Sequence, residues 1–429
     1  MTPFLEEENI VLLTGARQTG KTSLLYLLIQ HLLRIGVPTS QIIYLDLENI
    51  HDFSLIQGLT DFNDFLDILK REGVNLQKRV FVFIDEIQHL DAPSSFLKYL
   101  HDHYKPKLKF IVTGSSSLEI KKKFTDRLTG RVYRFLVKPL SFKEFLEFKS
   151  EEELAKKVSE FGFHFWISTK DPEKALSKIT AADKKKLSNF LSEYLIFGGY
   201  PAVSLLENPL VKQKNLQEIY SLYVRRDIKD IGEIEDVEGY NKLVSLLGYQ
   251  IGNLVREQEL SASSELSRPT VKKYLFLLEN TFVARLVSPF FTNKRSEITK
   301  TPKVYFEDVG LRNAVVDNFT SLSQRADKGA ILENFVYTQL SKEDSFSERI
   351  HFWRSQAKNE VDFIWQENLR KVYPVEVKLK YSSKQRLPAG LKSFINFYHP
   401  SKAFIVHLGE FASFDFKKTK IWVIPSWSV

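Results

Sequence analysis

The chain has 429 residues, 43% hydrophobic and 27% charged, the make-up of a globular protein with room for about three domains. It contains no cysteine, which excludes disulfides and thiolate-bound zinc or iron–sulfur centres. A formal net charge of +8 over this length permits a nucleic-acid partner without requiring one, and the acidic start "MTPFLEEENIV" is unlike a secretory signal.

The first pattern is an apolar strand, "IVLLT", that runs into Gly15, Ala16, Arg17, Gln18, Thr19, Gly20, Lys21, Thr22 and Ser23 and then into an amphipathic helix. Strand, glycine loop and helix in this order are what a phosphate-binding loop requires. Backbone N–H groups wrap the phosphates, and the helix N-terminus adds its dipole. Lys21 is expected to reach the outer phosphates and the Thr22 hydroxyl to ligate magnesium. The helix segment "SLLYLLIQHLLRIG" is broken by Gln30, His31 and Arg34 and is too short for a membrane span, so a cytoplasmic protein with no membrane partner is expected.

A second buried strand is predicted in "QIIYLDLEN". A third, in "RVFVFIDEIQHL", ends in Asp85 and Glu86, which places both carboxylates at the strand's C-terminal edge. Asp85 would hold Mg²⁺ and Glu86 would activate the attacking water. "KLKFIVTGSSSLEI" is a further strand ending in hydroxyls, where Ser115 or Ser116 would sense the terminal phosphate.

The segments "LTGARQTGKTSLL", "FVFIDEIQ", "FIVTGSSS", "LTGRVYRFLVKPLSFKEFL" and "FGGYPAV" resemble the AAA+ type of bacterial and archaeal P-loop ATPases, in which an ATPase module precedes a domain related to PD-(D/E)XK nucleases. The resemblance runs over nearly the whole chain. It implies ATP as the nucleotide, self-association through the ATPase module, and a role for Arg131 toward the nucleotide or a neighbouring subunit. On residue chemistry alone, Arg131 is equally a surface or structural arginine. Only about ten residues precede the first strand, fewer than the family usually has, so phosphate binding is better defined than base choice.

From Ser141 to about Pro201 the pattern is helical, and the resemblance suggests a lid on the ATPase. The paired glycines Gly198 and Gly199 mark a turn. Then comes a short helix near Glu259 to Ser264, a tight turn, and a helix capped by Ser267 with Pro269 in its first turn. Val271, Tyr274, Leu275 and Leu278 form its inward stripe, leaving Arg268, Lys272 and Lys273 outside. Two strands joined by the basic loop "TNKRSEITKTPK" follow, and the set looks like a winged helix. Such a domain either places its second helix in a DNA groove with the wing on phosphates, or packs against protein. The DNA reading names Arg268, Lys272, Lys273, Lys294 and Arg295 as phosphate contacts.

In the last hundred residues, Glu333 sits on a helix with an apolar side at Ile331, Phe335 and Leu340. Two strands follow in "RIHFWRSQAKNEVDFIWQ", the second presenting Glu360 and Asp362. In "KVYPVEVKLK", Glu376 and Lys378 share a strand face. Glu, Asp and Glu-x-Lys on a helix and two strands are similar to the PD-(D/E)XK nuclease core. Asp362 and Glu376 would bind Mg²⁺, Lys378 would stabilise charge on the phosphate, and Glu333 would orient a metal-bound water. The same residues can instead be strand-face salt bridges, or a fold that binds without cutting.

The expected architecture is a multidomain α/β protein. A doubly wound P-loop ATPase core spans 1–140, a helical lid and connector 141–235, a winged helix 236–312, and a restriction-endonuclease-like α/β domain 318–429. The expected cofactors are ATP and Mg²⁺, and the expected partner is DNA.

Overall fold

The apolar runs of the first third pair side by side in one parallel sheet. In the computed structural model, which describes every residue except 58, 60, 116–127, 225–227, 229–233, 235, 292–299, 344–348 and 369–370, the strands are β1 (Ile10–Thr14), β2 (Ile42–Asp46), β3 (Val80–Asp85), β4 (Leu108–Gly114) and β5 (Val132–Leu136). Their order is β2-β3-β4-β1-β5. The helices α1 (Lys21–Arg34), α2 (Ile50–Gln57), α3 (Asp64–Arg71) and α4 (Pro93–Tyr104) complete the unit.

Both faces of the sheet are covered. Ile10, Leu12, Val82, Ile84, Phe110 and Val112 pack with Phe96, Leu97 and Leu100 of α4. Val11, Leu13, Phe83 and Ile111 pack with Leu25, Leu28 and Leu32 of α1. This two-sided burial is why the strands read as unbroken apolar runs and not as alternating ones. Each such side chain contributes on the order of 2 kcal/mol, an upper bound because the unfolded chain is partly collapsed. The parallel register aligns Thr14 with Gly114 and Asp46 with Asp85, so the loops after β1, β3 and β4 leave from one edge. In an open α/β sheet that C-terminal edge is where ligands bind.

Met1–Lys138 form one compact unit; Pro139–Lys229 and Ile234–Val429 form the second. The second unit begins with α5 (Phe142–Phe148), α6 (Glu152–Ser159), α7 (Phe163–Ser168), α8 (Ala181–Phe197) and α9 (Pro209–Tyr223). Capping boxes start α5 at Ser141 and α8 at Thr180, each joining a hydroxyl to a carboxylate three residues on. There follow α10 (Val237–Tyr249), α11 (Glu257–Ser264), α12 (Arg268–Asn280), β6 (Ala284–Val287), β7 (Lys303–Phe306), α13 (Val309–Val315) and α14 (Lys328–Glu343). The helices expected as a lid pack inside this unit: α8 and α9 lie against α13, and α8 also meets α14.

The paired glycines make a close approach as well as a turn. A Cβ on Gly198, whose φ is +71°, would meet Asp308 Oδ1 at 2.1 Å. Gly199 N donates to Asp308 Oδ2 at 2.7 Å, while Asp308 also caps α13 by accepting from Leu311 N. No side chain larger than hydrogen fits at Gly198.

A six-stranded mixed sheet closes the chain: β8 (Ile350–Arg354), β9 (Glu360–Asn368), β10 (Lys371–Val377), β11 (Lys402–His407), β12 (Ala412–Phe416) and β13 (Thr419–Pro425), in the order β12-β13-β11-β10-β9-β8. β10 and β11 are parallel, joined through α15 (Ala389–Tyr398), whose Leu391, Phe394 and Ile395 pack on Val361, Ile364, Ile405 and Val423. α14 departs from the one apolar side predicted for it. Ile331, Leu332, Asn334, Phe335, Val336, Tyr337, Thr338, Gln339, Leu340 and Ser341 are all buried, because neighbours surround the helix; Asn334 and Gln339 bond to other segments, and the Thr338 and Ser341 hydroxyls to the helix's own carbonyls.

Candidate nucleotide and metal sites

The loop between β1 and α1 has little freedom. A Cβ on Gly15 would come within 2.1 Å of the Val137 carbonyl oxygen. Gln18 and Gly20 adopt left-handed backbone, at φ 59° and 93°. Thr19 Oγ1 donates to Ala16 O at 2.8 Å and tightens the turn. The Lys21 ammonium donates to the carbonyls of Gly15 (3.2 Å) and Ala16 (2.9 Å), which keeps its charge within the loop.

Thr22, in the first turn of α1, donates from Oγ1 to Asp85 Oδ2 at 2.6 Å. Tyr44 on β2 donates to the same oxygen at 3.3 Å, and Thr113 on β4 donates to Asp85 Oδ1. Neighbouring strands thus orient the carboxylate that ends β3. A hydroxyl and a carboxylate this close are the hard oxygen donors that magnesium takes. The arrangement fits the ion expected from the sequence.

Glu86 has left-handed backbone at φ 54°, which turns its side chain away from the strand direction. Its carboxylate accepts from Gln88 Nε2 and from Ser115 N, the latter at 3.2 Å, and its own N–H donates to Thr113 Oγ1 at 2.9 Å. Burial pushes the carboxyl up. The Lys21 charge, the hydrogen bonds from Gln88 and Ser115, and Arg17 outweigh it and hold Glu86 below the usual carboxylate range. It is therefore ionised at neutral pH, as a base must be.

The structure does not bring Arg131 to this edge. Arg131 immediately precedes β5, and its carbonyl accepts from Ile10 N at the start of β1, the opposite end of the sheet from the loop. Its guanidinium is bidentate to Asp102, at 2.6 and 3.1 Å. Ser115 does lie at the loop's edge, buried and 3.3 Å from Gln88.

In the C-terminal sheet the expected acidic residues converge. Asp362 Oδ2 accepts from Val377 N at 2.7 Å, which fixes it against β10 beside Glu376. Lys378, just beyond β10, donates to Glu376 Oε1 at 2.6 Å, and Glu376 Oε2 is buried with no hydrogen-bond partner. Burial pushes Glu333, Asp362 and Glu376 all above the usual range. Asp362 adds further repulsion on Glu333 and Glu376, against the pull of Lys303 on Glu333 and of Lys378 on Glu376. An orphaned buried carboxylate oxygen beside two further carboxyl groups is a donor that fits a cation. Among the described residues, however, no three His, Asp or Glu side chains form a ready metal cage.

Sequence reasoning missed Lys303 and Tyr305. Lys303 was expected at the end of an exposed basic loop, yet it is only 2% exposed and contacts Glu360 at 2.6 Å and Glu333 at 3.4 Å. Tyr305 donates to Glu333 Oε1 at 2.5 Å. A lysine at a strand end carries no mark of its destination; only the period-two pairing with Tyr305 around Val304 hints at a shared face. Tyr44 and Thr113 were missed because their role is visible only across strands; Gln88 was missed although it lies only two residues from Glu86.

On α12, Ser267 caps the helix by accepting from Thr270 N at 3.2 Å, and Val271, Tyr274, Leu275 and Leu278 are buried as expected. Arg268, Lys272 and Lys273 are exposed. Lys272 lies 3.5 Å from Glu257 of α11, so the surface carries both signs of charge. Lys294 and Arg295 lie outside the described residues.

Residues 7–146 match the AAA domain family. Residues 188–322 and 328–429 each match a domain of unknown function, DUF8612 and DUF4143. An uncharacterized protein of Haemophilus influenzae is 25% identical over 342 residues, 79% of this chain and 75% of that one. An uncharacterized protein of Methanocaldococcus jannaschii is 26% identical over 388 residues, 88% of this chain and 77% of that one. Among solved structures, the Aeropyrum pernix ORC2 protein in its ADP form is 11% identical with a TM-score of 0.35, covering 65% of this chain and 81% of that chain.

Proposed function

We propose that this chain is a magnesium-dependent ATPase whose turnover gates DNA binding, or metal-dependent DNA cleavage by its C-terminal domain. The observation that carries the ATPase reading is the Thr22–Asp85 contact beside an ionised Glu86, all at the edge where the phosphate loop leaves β1. The loop's N–H groups and Lys21 would hold the phosphates, and Thr22 and Asp85 would hold Mg²⁺, which would supply charge neutralisation to the phosphates. Glu86 takes a proton from water as that water attacks the terminal phosphorus, and the bond to the bridging oxygen breaks to release ADP. The AAA domain match over this segment supports the reading.

For the rest of the chain, the order α10, α11, α12, β6, β7 supports a winged helix, with Leu254 adding a bridge to Lys303 beside the hairpin. The order α14, β8, β9, β10, α15, β11 supports a nuclease-like α/β core holding Asp362, Glu376 and Lys378. Incubating the protein with linear, circular and single-stranded DNA, with Mg²⁺ and with or without ATP, tests both. ATP-dependent retention or cutting is expected; neither occurring removes DNA from the proposal.

A second reading makes the C-terminal domain a scaffold in a nucleotide-switched DNA-binding or signalling protein. The Lys378–Glu376 ion pair, 2.6 Å across, favours it, because a strand-face salt bridge is what a scaffold would show there. No helix among the described residues is long and apolar enough to cross a membrane.

A further inference from the structure

Lys303 belongs in sequence to the hairpin after α12, yet its ammonium lies among the carboxylates of the C-terminal domain. It is 2% exposed, 2.6 Å from Glu360 Oε1 and 3.4 Å from Glu333 Oε1, with the Phe352 ring centroid 5.4 Å away. The placement is held by main chain. Asn334, next to Glu333 on α14, accepts from Phe306 N at 2.8 Å and donates to Phe306 O at 2.9 Å. Gly252 closes the other side: its N–H donates to Val304 O at 2.9 Å, and a Cβ there would stand 3.0 Å from Glu333 Oε1. Moving Lys303 out of the cluster means breaking these bonds.

Buried carboxylates need opposite charge nearby. Lys303 supplies it to Glu333 and Glu360, and Lys378 supplies it to Glu376. Both lysines also act on Asp362, yet Glu376 Oε2 is left without a hydrogen-bond partner, so one donor at the Asp362–Glu376 end stays open. A divalent ion at that end would feel the fixed positive charge of Lys303 through a poorly screened interior.

We propose that Lys303 is a tethered cation of this cluster, competing with a divalent ion for its carboxylates and so setting how tightly the domain takes metal. The proposal rests on the reading of Asp362 and Glu376 as metal ligands. It also makes the metal site composite, because one of its charges comes from the hairpin and not from the nuclease-like domain. A lysine that served packing alone would leave metal affinity unchanged when replaced by a side chain of similar length.

The test is calorimetric titration of the full chain with Mn²⁺, without nucleotide, for wild type, Lys303→Met and Lys303→Arg, each with and without Asp362→Ala. The Asp362-dependent heat isolates this cluster from the ATPase site. Lys303→Met should bind Mn²⁺ at least about tenfold more tightly than wild type, and Lys303→Arg should stay within about twofold. Mn²⁺ should also raise the melting temperature of Lys303→Met more than that of wild type. Should Lys303→Met fold only when Mn²⁺ is present, that too supports the proposal; failure to fold even with Mn²⁺ overturns it. A folded Lys303→Met with wild-type or weaker Asp362-dependent affinity also overturns it and leaves the metal-ligand reading standing. No Asp362-dependent heat in any variant removes that reading, and the proposal with it.

Discussion

The Thr22 hydroxyl donates to Asp85 Oδ2 across 2.6 Å, and this one bond joins the first turn of α1 to the last residue of β3. It places a hydroxyl and a carboxylate from sequence positions far apart where one magnesium ion can meet both. The parallel register makes this possible, since loops leaving the same edge of a sheet converge.

Lys21→Ala should weaken ATP binding by about 10- to 100-fold, the loss of a charge-assisted contact to phosphate. Glu86→Gln should keep ATP bound and slow its turnover by about 10²- to 10⁴-fold, because only proton acceptance is removed. Fluorescent-nucleotide binding and phosphate release measure the two separately. Hydrolysis by Glu86→Gln at the wild-type rate would show that another group takes the proton.

The pH profile of the ATPase follows from Glu86. Its carboxyl is held below the usual range, so as pH falls the base stays ionised until below the ordinary carboxylate pKa of about 4.3. kcat/KM should therefore hold steady from neutrality down to about pH 5. Gln88→Leu removes one of the hydrogen bonds that favour the ionised form and should move the acid limb to higher pH. An unmoved limb means that Gln88 does not act through Glu86.

Replacing Lys272 and Lys273 by Glu should weaken DNA binding by a similar factor across sequences and flatten its salt dependence. Fluorescence anisotropy at several salt concentrations reads both. If affinity and salt slope are unchanged, α12 serves protein packing, a role for which the neighbouring Glu257 gives precedent.

Glu376→Ala and Asp362→Ala should each lower Mn²⁺ affinity and abolish any DNA cleavage together, since each removes an oxygen donor. Lys378→Met should retain the metal and fail to cut, because it removes charge stabilisation and leaves the donors in place. Buried salt-bridge partners alone would cost stability, about 3 kcal/mol where a buried partner is left unpaired, and leave metal binding unaltered. Equal Mn²⁺ binding by wild type and both carboxylate variants would remove the nuclease reading.

Asp327 offers a stability test away from either site. It accepts from Arg312 at 2.6 Å and from Arg325 twice at 2.8 Å. Burial raises its carboxyl, but the two arginines pull it down to about 2. The folded pKa lies below the unfolded one, so its contribution is complete above about pH 4 and is lost as pH falls toward 2. After solvent screening this amounts to on the order of 1 kcal/mol. Asp327→Asn at neutral pH should cost more, about 3 kcal/mol, because it leaves two buried arginines without their anion. Denaturant melts at pH 7 and pH 3 compare the two; equal losses at both would contradict the pairing.

The sequence by itself determined the ATPase core. A phosphate loop needs glycine where backbone crowds backbone, a lysine and a hydroxyl at set spacing, and an apolar strand before it; these are local demands, all legible between Ile10 and Thr22. Asp85 and Glu86 were legible too, because a strand buried on both faces must end where its first carboxylate appears. The Ser267 cap and the inward stripe of α12 followed from helical period alone. Tertiary structure decided the rest. Arg131 was given by resemblance a role toward the nucleotide or a neighbouring subunit; its position ahead of β5 puts it at the far end of the sheet from this chain's own phosphate loop, paired with Asp102. α14 was read with one apolar side, and the neighbours that bury it all round come from segments distant in the chain. Lys303 is the sharpest case. In sequence it is only the junction of a basic loop and a strand, with no role assigned to it, while the fold carries its ammonium to Glu333 and Glu360. Period and composition report which residues seek burial, but the pairing of buried charges is a contact between distant segments, and only the folded chain chooses the partner.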